Sequence, residues 1–367
     1  MAEEDLGRNG GGGGNDQADA RYPTHAEKTH TQEKTTVSVI LHNNAIMSLA
    51  EANKRAGYDR NRGFLLELEK KHHALDVIPF HPANNNAFHT YNKAVTLGSG
   101  DWRFLNEGRK ATRGTMESFT TAVQIFGAES NVSDDVLRTC ESPADARDSE
   151  NLLVGQGLVN QFFDALINSD GSNPKAMKGF QFFRDKIGSY CVDAGAAVSS
   201  SKKGTSIYLI QPGEYSLNVR YNPKLTGSSH GIGLSIKDEG SLWTKDANGN
   251  DMKVWKTTMD LTAGLELRQD ESLVRIANVD PKAEFDLDLF IEAMHLLPDM
   301  GEGAVALCPR PIYAQLMKKA IGMAGYQFKI ENVENFGGIA TFMGIPFIRE
   351  DAIRTDLTTK VTSTVAG

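Results

Sequence analysis

The sequence predicts an α+β fold, on three observations. Ile207 to Val279 reads as strands and turns almost without interruption. A single long helical pattern, residues 143–167, precedes it. A shorter alternation of helix and strand follows it, through residues 281–367. With 367 residues, 40% of them hydrophobic and 23% charged, the chain is long enough for two domains and a sizeable core.

Residues 1–36 are a polar, glycine-rich leader. Gly10 to Gly14 is an unbroken glycine run, and seven acidic and four basic residues stand before residue 35. Such a segment has too little apolar surface to offset its ordering entropy, so it is expected to be disordered and dispensable for the fold. Residues 37–82 read as an arm with short helices. Val37 to Leu41 is extended. Ser48 and Glu51 have the spacing of a capping box, opening a helix that Gly57 stops. A second helix is expected from Arg62 to Leu75, with Phe64, Leu65, Leu68 and His72 on one face. Pro79 and Pro82 end it.

Residues 83–126 read as a long two-stranded excursion. Phe88 to Val95 and Phe119 to Phe126 are strand-like, and Gly98, Gly100, Gly108 and Gly114 supply a flexible tip. That tip carries Trp102, Arg103, Phe104 and Arg109. An isolated hairpin is marginal in water, so it needs a partner surface. Tryptophan and arginine are enriched where interfaces draw their energy, so these four residues are the candidate interface.

Residues 127–280 hold the long helix and the β-rich region. Ser142 as N-cap, Pro143 at the first helical position and Asp145 in the first turn mark the helix start. Its apolar positions are Leu152, Leu153, Val159, Phe162, Phe163, Leu166 and Ile167, and Asn168 to Gly171 end it. At 1.5 Å per residue it should span roughly 37 Å, a rigid spine. Ser206 to Gly213 is a strand entering a Pro-Gly turn. Leu242 to Trp255 is a hairpin around Asn248-Gly249, and Leu261 to Arg268 and Ser272 to Val279 are two more strands. In the tail, Asp286 to Leu297 is an amphipathic helix, Gly303 to Cys308 a buried strand, and Pro311 to Ile321 a helix. Phe342 to Ile348 is a strand pair broken at Gly344-Ile-Pro346.

No chemistry accompanies these elements. The net charge of −8 and the lack of a basic stripe argue against specific nucleic-acid binding; an acidic wall would keep an enclosed polyanion from sticking. Cys140, Cys191 and Cys308 are far apart, which points to buried free thiols in a reducing compartment. No apolar run is long enough to span a bilayer, and no signal-peptide core precedes the arm, so no membrane partner is expected. His72, His73, His81 and His89 are dense, but no carboxylate or cysteine spacing completes a metal site. Asp246 to Asp251 has its glycine at the wrong place for a calcium loop. His230-Gly-Ile-Gly233 has no nucleophile elbow, and Gly155-Gln-Gly157 lacks the third glycine of a dinucleotide motif. Catalytic, cofactor-binding and metal residues are therefore none, and the protein is not expected to be an enzyme. A soluble α/β enzyme with scattered catalytic residues is the alternative of a different class.

The order of elements resembles the tailed-bacteriophage major capsid proteins with the Hong Kong 97 fold. The residues that carry the resemblance are Ser48 to Arg55, Trp102 to Gly108, Thr205 to Ile210 with Gly213, and Leu261-Thr-Ala-Gly-Leu265. Val274 to Asn278, Phe342 to Pro346 and Asp351 to Ile353 complete it. The resemblance implies an N-terminal arm at 37–82, an extended loop at 83–126 and a peripheral domain at 127–280 with its spine helix. An axial α/β region at 281–367 follows. It implies a shell protein that assembles as hexamers and pentamers into an icosahedral head around double-stranded DNA. The protein would then be made in the host cytoplasm and reside in the virion. Portal, scaffolding protein and a decoration protein are the further partners it implies. The glycine-rich leader is unlike the helical scaffolding segment of some relatives, which points to a separate scaffolding protein. Lys93 and Lys110 lie where some relatives cross-link, but nothing in the sequence specifies a cross-link. A bacterial nanocompartment shell shares the fold and is the nearer alternative.

Overall fold

Strands here form where apolar and β-branched residues cluster, and among the described residues two large sheets and one two-stranded ribbon result. The computed structural model describes residues 72–140, 142–225, 233–245, 249–322, 328–333 and 337–363. The leader, the strand at 37–41, the capping box at Ser48 and most of the helix at 62–75 lie outside them. The described end of that helix is a 3-10 turn, His73–Asp76, not an α-helix.

In chain order, β1 is Phe80–Pro82, β2 Phe88–Thr96, β3 Thr115–Ala122 and β4 Gln124–Ser133. Helix α1 is Asp134–Thr139, α2 Pro143–Asn168 and α3 Phe180–Phe183. Then come β5 Cys191–Asp193, β6 Thr205–Ile210, β7 Leu217–Tyr221, β8 Leu234–Lys245, β9 Asp251–Leu267 and β10 Leu273–Val279. Helix α4 is Leu287–His295, β11 Val305–Cys308, and α5 Arg310–Gly322. Strands β12 Phe328–Val333, β13 Gly337–Phe342 and β14 Ile345–Arg349 end the fold.

One sheet has the order β1-β7-β9-β4, with β8 also on β9. The other has the order β12-β13-β14-β11-β6-β10-β5, and β2 and β3 pair alone. The seven-stranded sheet thus draws strands from both sides of the boundary expected at residue 280. Strand β6 explains how. It is buried at every position, with Tyr208 and Ile210 on one core and Ile207 and Leu209 on the other. Side chains alternate across a strand, so a continuous apolar run can fill two cores at once. The first core lies against the last turns of α2 and the five-stranded sheet. The second is covered by α4 and α5, with Phe290 and Phe347 at its centre, their ring centroids 4.8 Å apart.

Helix α2 has 26 residues and runs about 39 Å. Its buried face begins at Gly155 and follows Leu158, Val159, Phe162, Phe163, Leu166 and Ile167. Leu153, expected on that face, is 61% exposed. It falls on the stripe of Gly157, Asn160 and Asp164, the polar side at 100° per residue. Ser142 caps only through its carbonyl, which accepts from Ala146 N–H at 3.2 Å; its side chain caps nothing. Asp286 does cap α4, accepting from Asp288 N–H at 3.0 Å.

Three strand readings change. Phe119 to Phe126 is two strands, broken at Val123, whose N–H donates to Ala87 O at 2.9 Å as the chain passes from β3 to β4. Leu261 to Arg268 is not separate but the second half of the 17-residue β9. β9 stays whole because β4 pairs along one edge while β8 and then β7 share the other. The tail hairpin turns at Met343-Gly344, both at positive φ (51° and 87°), as a two-residue type I′ turn requires; Pro346 sits within β14 opposite Thr341. β8 does pair with β9 around Asn248-Gly249, from Lys245 and Asp251, though residues 246–248 of the turn and the His230 loop lie outside the described residues.

Candidate assembly interface

The most exposed apolar surface sits on the hairpin of β2 and β3. Its strands pair from Phe88 opposite Ala122 to Thr96 opposite Thr115. The base is tied to the body of the subunit. Asn84 exchanges two bonds with the Thr90 backbone, at 2.7 and 3.0 Å. Tyr91 Oη donates to Leu267 O at 3.4 Å. Lys93 Nζ reaches Asp270 at 3.0 Å and lies 5.2 Å from the centre of the Phe119 ring. Beneath this base Arg220 pairs with the fully buried Glu266, and His89 Nε2 is 3.6 Å from the same carboxylate. Burial outweighs the attraction of Glu266 and lowers the pKa of His89; burial and Arg220 lower that of His81 beside it.

Past the base, every residue from 94 to 120 is exposed. The bonds of the tip are local. Arg103 Nη1 donates to Glu107 O at 2.7 Å, the Phe104 N–H donates to Glu107 Oε2 at 2.8 Å, and Lys110 pairs with Asp101 at 3.2 Å. Trp102 is 104% exposed and Phe104 78%. Neither folds back onto its own subunit. Arg109 is exposed beside them. The structure therefore carries all four candidate residues on one tip. It adds Leu97 and Leu105, 85% and 93% exposed, which sequence reasoning passed over although they stand in the same glycine-rich stretch. It also adds Trp243 on the second hairpin, 72% exposed opposite Lys253, a residue read only as part of that hairpin. Exposed apolar groups gathered on one element make it a candidate interaction surface.

The remaining chemistry-bearing residues have structural surroundings. His72 hydrogen-bonds through Nδ1 to Glu350 and through Nε2 to Asn160, both at 2.8 Å, and stacks on Phe163 at 4.4 Å. Burial pushes the Cys191 thiol up to about 11 and raises that of Cys308 further, so neither is a nucleophile. Cys140, expected to be buried, is only half-buried. Among the described residues, no group of three or more histidines, cysteines and carboxylates is placed to hold a metal ion, and no helix is long and apolar enough to cross a membrane.

Comparison with known proteins gives the shape a family. The family model for major capsid protein GP7 matches residues 66–360. No individual curated protein matches significantly. Among solved structures, a chain of bacteriophage epsilon15 superposes with a TM-score of 0.56 at 22% identity, covering 78% of this chain and 88% of that one. The capsid of bacteriophage JBD30 gives 0.45 at 9% identity, over 75% and 89% of the two chains. The SrpI encapsulin of Synechococcus elongatus gives 0.38 at 10%, over 58% and 89%. The family match spans most of the chain, and the epsilon15 superposition shares its fold. The chain therefore belongs to the major capsid protein GP7 family: it has the Hong Kong 97-type capsid fold and is a structural, non-enzymatic subunit that self-assembles into the shell of a phage virion.

Proposed function

We propose that the subunit assembles as hexamers and pentamers into an icosahedral head around double-stranded DNA, and that the β2–β3 tip is its principal contact with a neighbouring copy. The carrying observation is the tip itself: Leu97, Trp102, Phe104 and Leu105 are exposed on an element whose own subunit offers them no surface. A closed shell repeats one patch around each symmetry axis, so a projecting element that docks on the next copy closes the ring. Arg103 and Arg109 supply the polar part of the same contact. Residues 127–280 and 281–367 act in this reading as the peripheral and axial regions of the subunit. A separate scaffolding protein, a portal and a decoration protein are the further partners. DNA is enclosed without sequence-specific contact, in keeping with the net charge of −8.

Replacing Trp102 and Phe104 by Ala tests this. Each truncation should weaken subunit association by about 2 kcal/mol, the loss typical of a buried aromatic anchor. Subunit melting should stay unchanged, because neither side chain touches its own core. Sedimentation and electron microscopy with scaffold supplied should show free subunits where the wild type gives shells. Wild-type shells from the variant would overturn the role of the tip. Shells that hold protein cargo and exclude DNA would favour the nanocompartment reading.

A further inference from the structure

Arg275, on β10, is 1% exposed and has no carboxylate partner among the described residues. Its Nε and Nη2 donate to Ser206 Oγ at 3.0 and 2.9 Å, and Nη1 donates to Arg184 O at 2.8 Å. Its guanidinium lies 5.7 Å from the centre of the Tyr208 ring. These bonds use three of five N–H groups, and arginine does not shed its proton. A buried cation in this state is costly unless something supplies the missing charge.

Arg275 stands at the wall of a cavity of about 790 Å³. The cavity forms where the chain after Arg354 crosses the β5 end of the seven-stranded sheet, bridging Leu357 to Gly204 and Ser363 to Ile187. Four more cations line it, together with Thr358, Thr359 and Thr362. Of the four, Arg354 is held by Asp164 at 3.0 Å, Lys360 lies 3.6 Å from Asp193, and Lys186 lies 3.8 Å from Asp185. The fourth, Lys203, is exposed and has no ion-pair partner among the described residues. Two lining carboxylates oppose them, Asp356 and the Asp185 beside Lys186.

We propose that this groove binds a phosphoryl oxyanion, held by Arg275 and Lys203 and by the hydroxyls of the crossing segment. A guanidinium fork, an ammonium and threonines lining one groove suit a tetrahedral anion with several oxygens. A planar carboxylate would leave part of the set unused. The anion can come from free phosphate or from the backbone of enclosed nucleic acid. Only the second source rests on the shell reading. Such a contact positions a polymer without reading its sequence.

The test is titration of the purified full-length subunit with inorganic phosphate at low salt, followed by phosphorus NMR and calorimetry, with chloride at equal ionic strength as reference. Phosphate should bind where chloride does not. Lys203→Glu should weaken it by about tenfold or more, and Asp356→Asn should tighten it several-fold. Both side chains are exposed, so both variants should fold, whether or not Arg275→Gln does. Displacement of phosphate by a short DNA duplex identifies the backbone as the source; phosphate that the duplex leaves in place identifies a small-anion site. Failure of phosphate to bind above chloride overturns the proposal, as does equal binding by wild type and both surface variants. A glutamate-rich peptide that binds where phosphate does not also overturns it, and reassigns the groove to an acidic segment. Loss of shell assembly is a separate readout and leaves the phosphate titration intact.

Discussion

His72 shows what a single side chain contributes to joining distant parts of the chain. Its Nδ1 hydrogen-bonds to Glu350 and its Nε2 to Asn160, each at 2.8 Å. Burial acts to lower its pKa, but the hydrogen bond and charge of Glu350, with Asn160, outweigh burial and raise it. A raised pKa means the folded protein holds the proton more tightly than the unfolded chain. The stabilisation is complete below the ordinary histidine value of about 6.5 and is lost as pH rises through the raised one. Glu350→Gln should therefore cost about 2 kcal/mol in acid, and the gap to wild type should close as pH rises. Denaturant melts of both proteins across that range check it. Comparing the two removes His81 and His89 from the result, since Glu350 does not act on either; His73 feels the Glu350 charge and is removed by repeating the comparison in a His73→Ala background. A gap that stays constant with pH would show that His72 is neutral in the fold. The sequence placed His72 on an apolar helix face. It could not show Glu350, which is 278 residues away.

At the scale of elements, periodicity made α2, α4, α5 and the fully apolar strands legible, because each is decided by its own residues. Helix ends and strand breaks were less legible, because partners decide them. β9 reads as separate pieces in one dimension and is one strand in three. Its Gly264, part of the Leu261 to Leu265 motif, has a reason that only the packing reveals. A Cβ there would lie 2.4 Å from Ala122 O, where the hairpin leaves the sheet. Gly264→Ala should cost about 2 kcal/mol, because the obstacle is backbone and cannot turn aside. Gly157, on the open side of α2, has nothing within 4 Å of the same construction. Gly157→Ala should stabilise the subunit by about 0.5–1 kcal/mol through helix propensity. Thermal melts of the two variants should move in opposite directions. Equal destabilisation would mean that the polar face of α2 is packed in a way the subunit alone does not show.

For the whole molecule, the question is which parts the subunit needs for its own fold and which it holds out for others. The two cores are closed by strands and helices between Ala74 and Ile353, and no residue from 94 to 120 enters either. Exposed glycines and aromatics in that stretch made the excursion legible in the sequence, since a two-stranded ribbon with an apolar tip has no stable existence in water alone. What the sequence left open was whether the tip folds back, because contact between distant segments is not written in local pattern. The structure shows the tip outward, with the hairpin anchored at its base by Asn84, His89, Tyr91 and Lys93 and their partners. Removing residues 97–114 and joining Thr96 to Thr115 by a two-residue Asn-Gly turn should therefore leave subunit stability within about 0.5 kcal/mol, since the loss falls wholly on exposed residues. It should at the same time abolish shells, because every copy then lacks the element proposed to reach the next. Unfolding of the shortened chain would place the tip inside the subunit's own cooperative unit. Normal shells from it would move the assembly contact elsewhere, with Trp243 on the β8–β9 hairpin as the next surface to truncate.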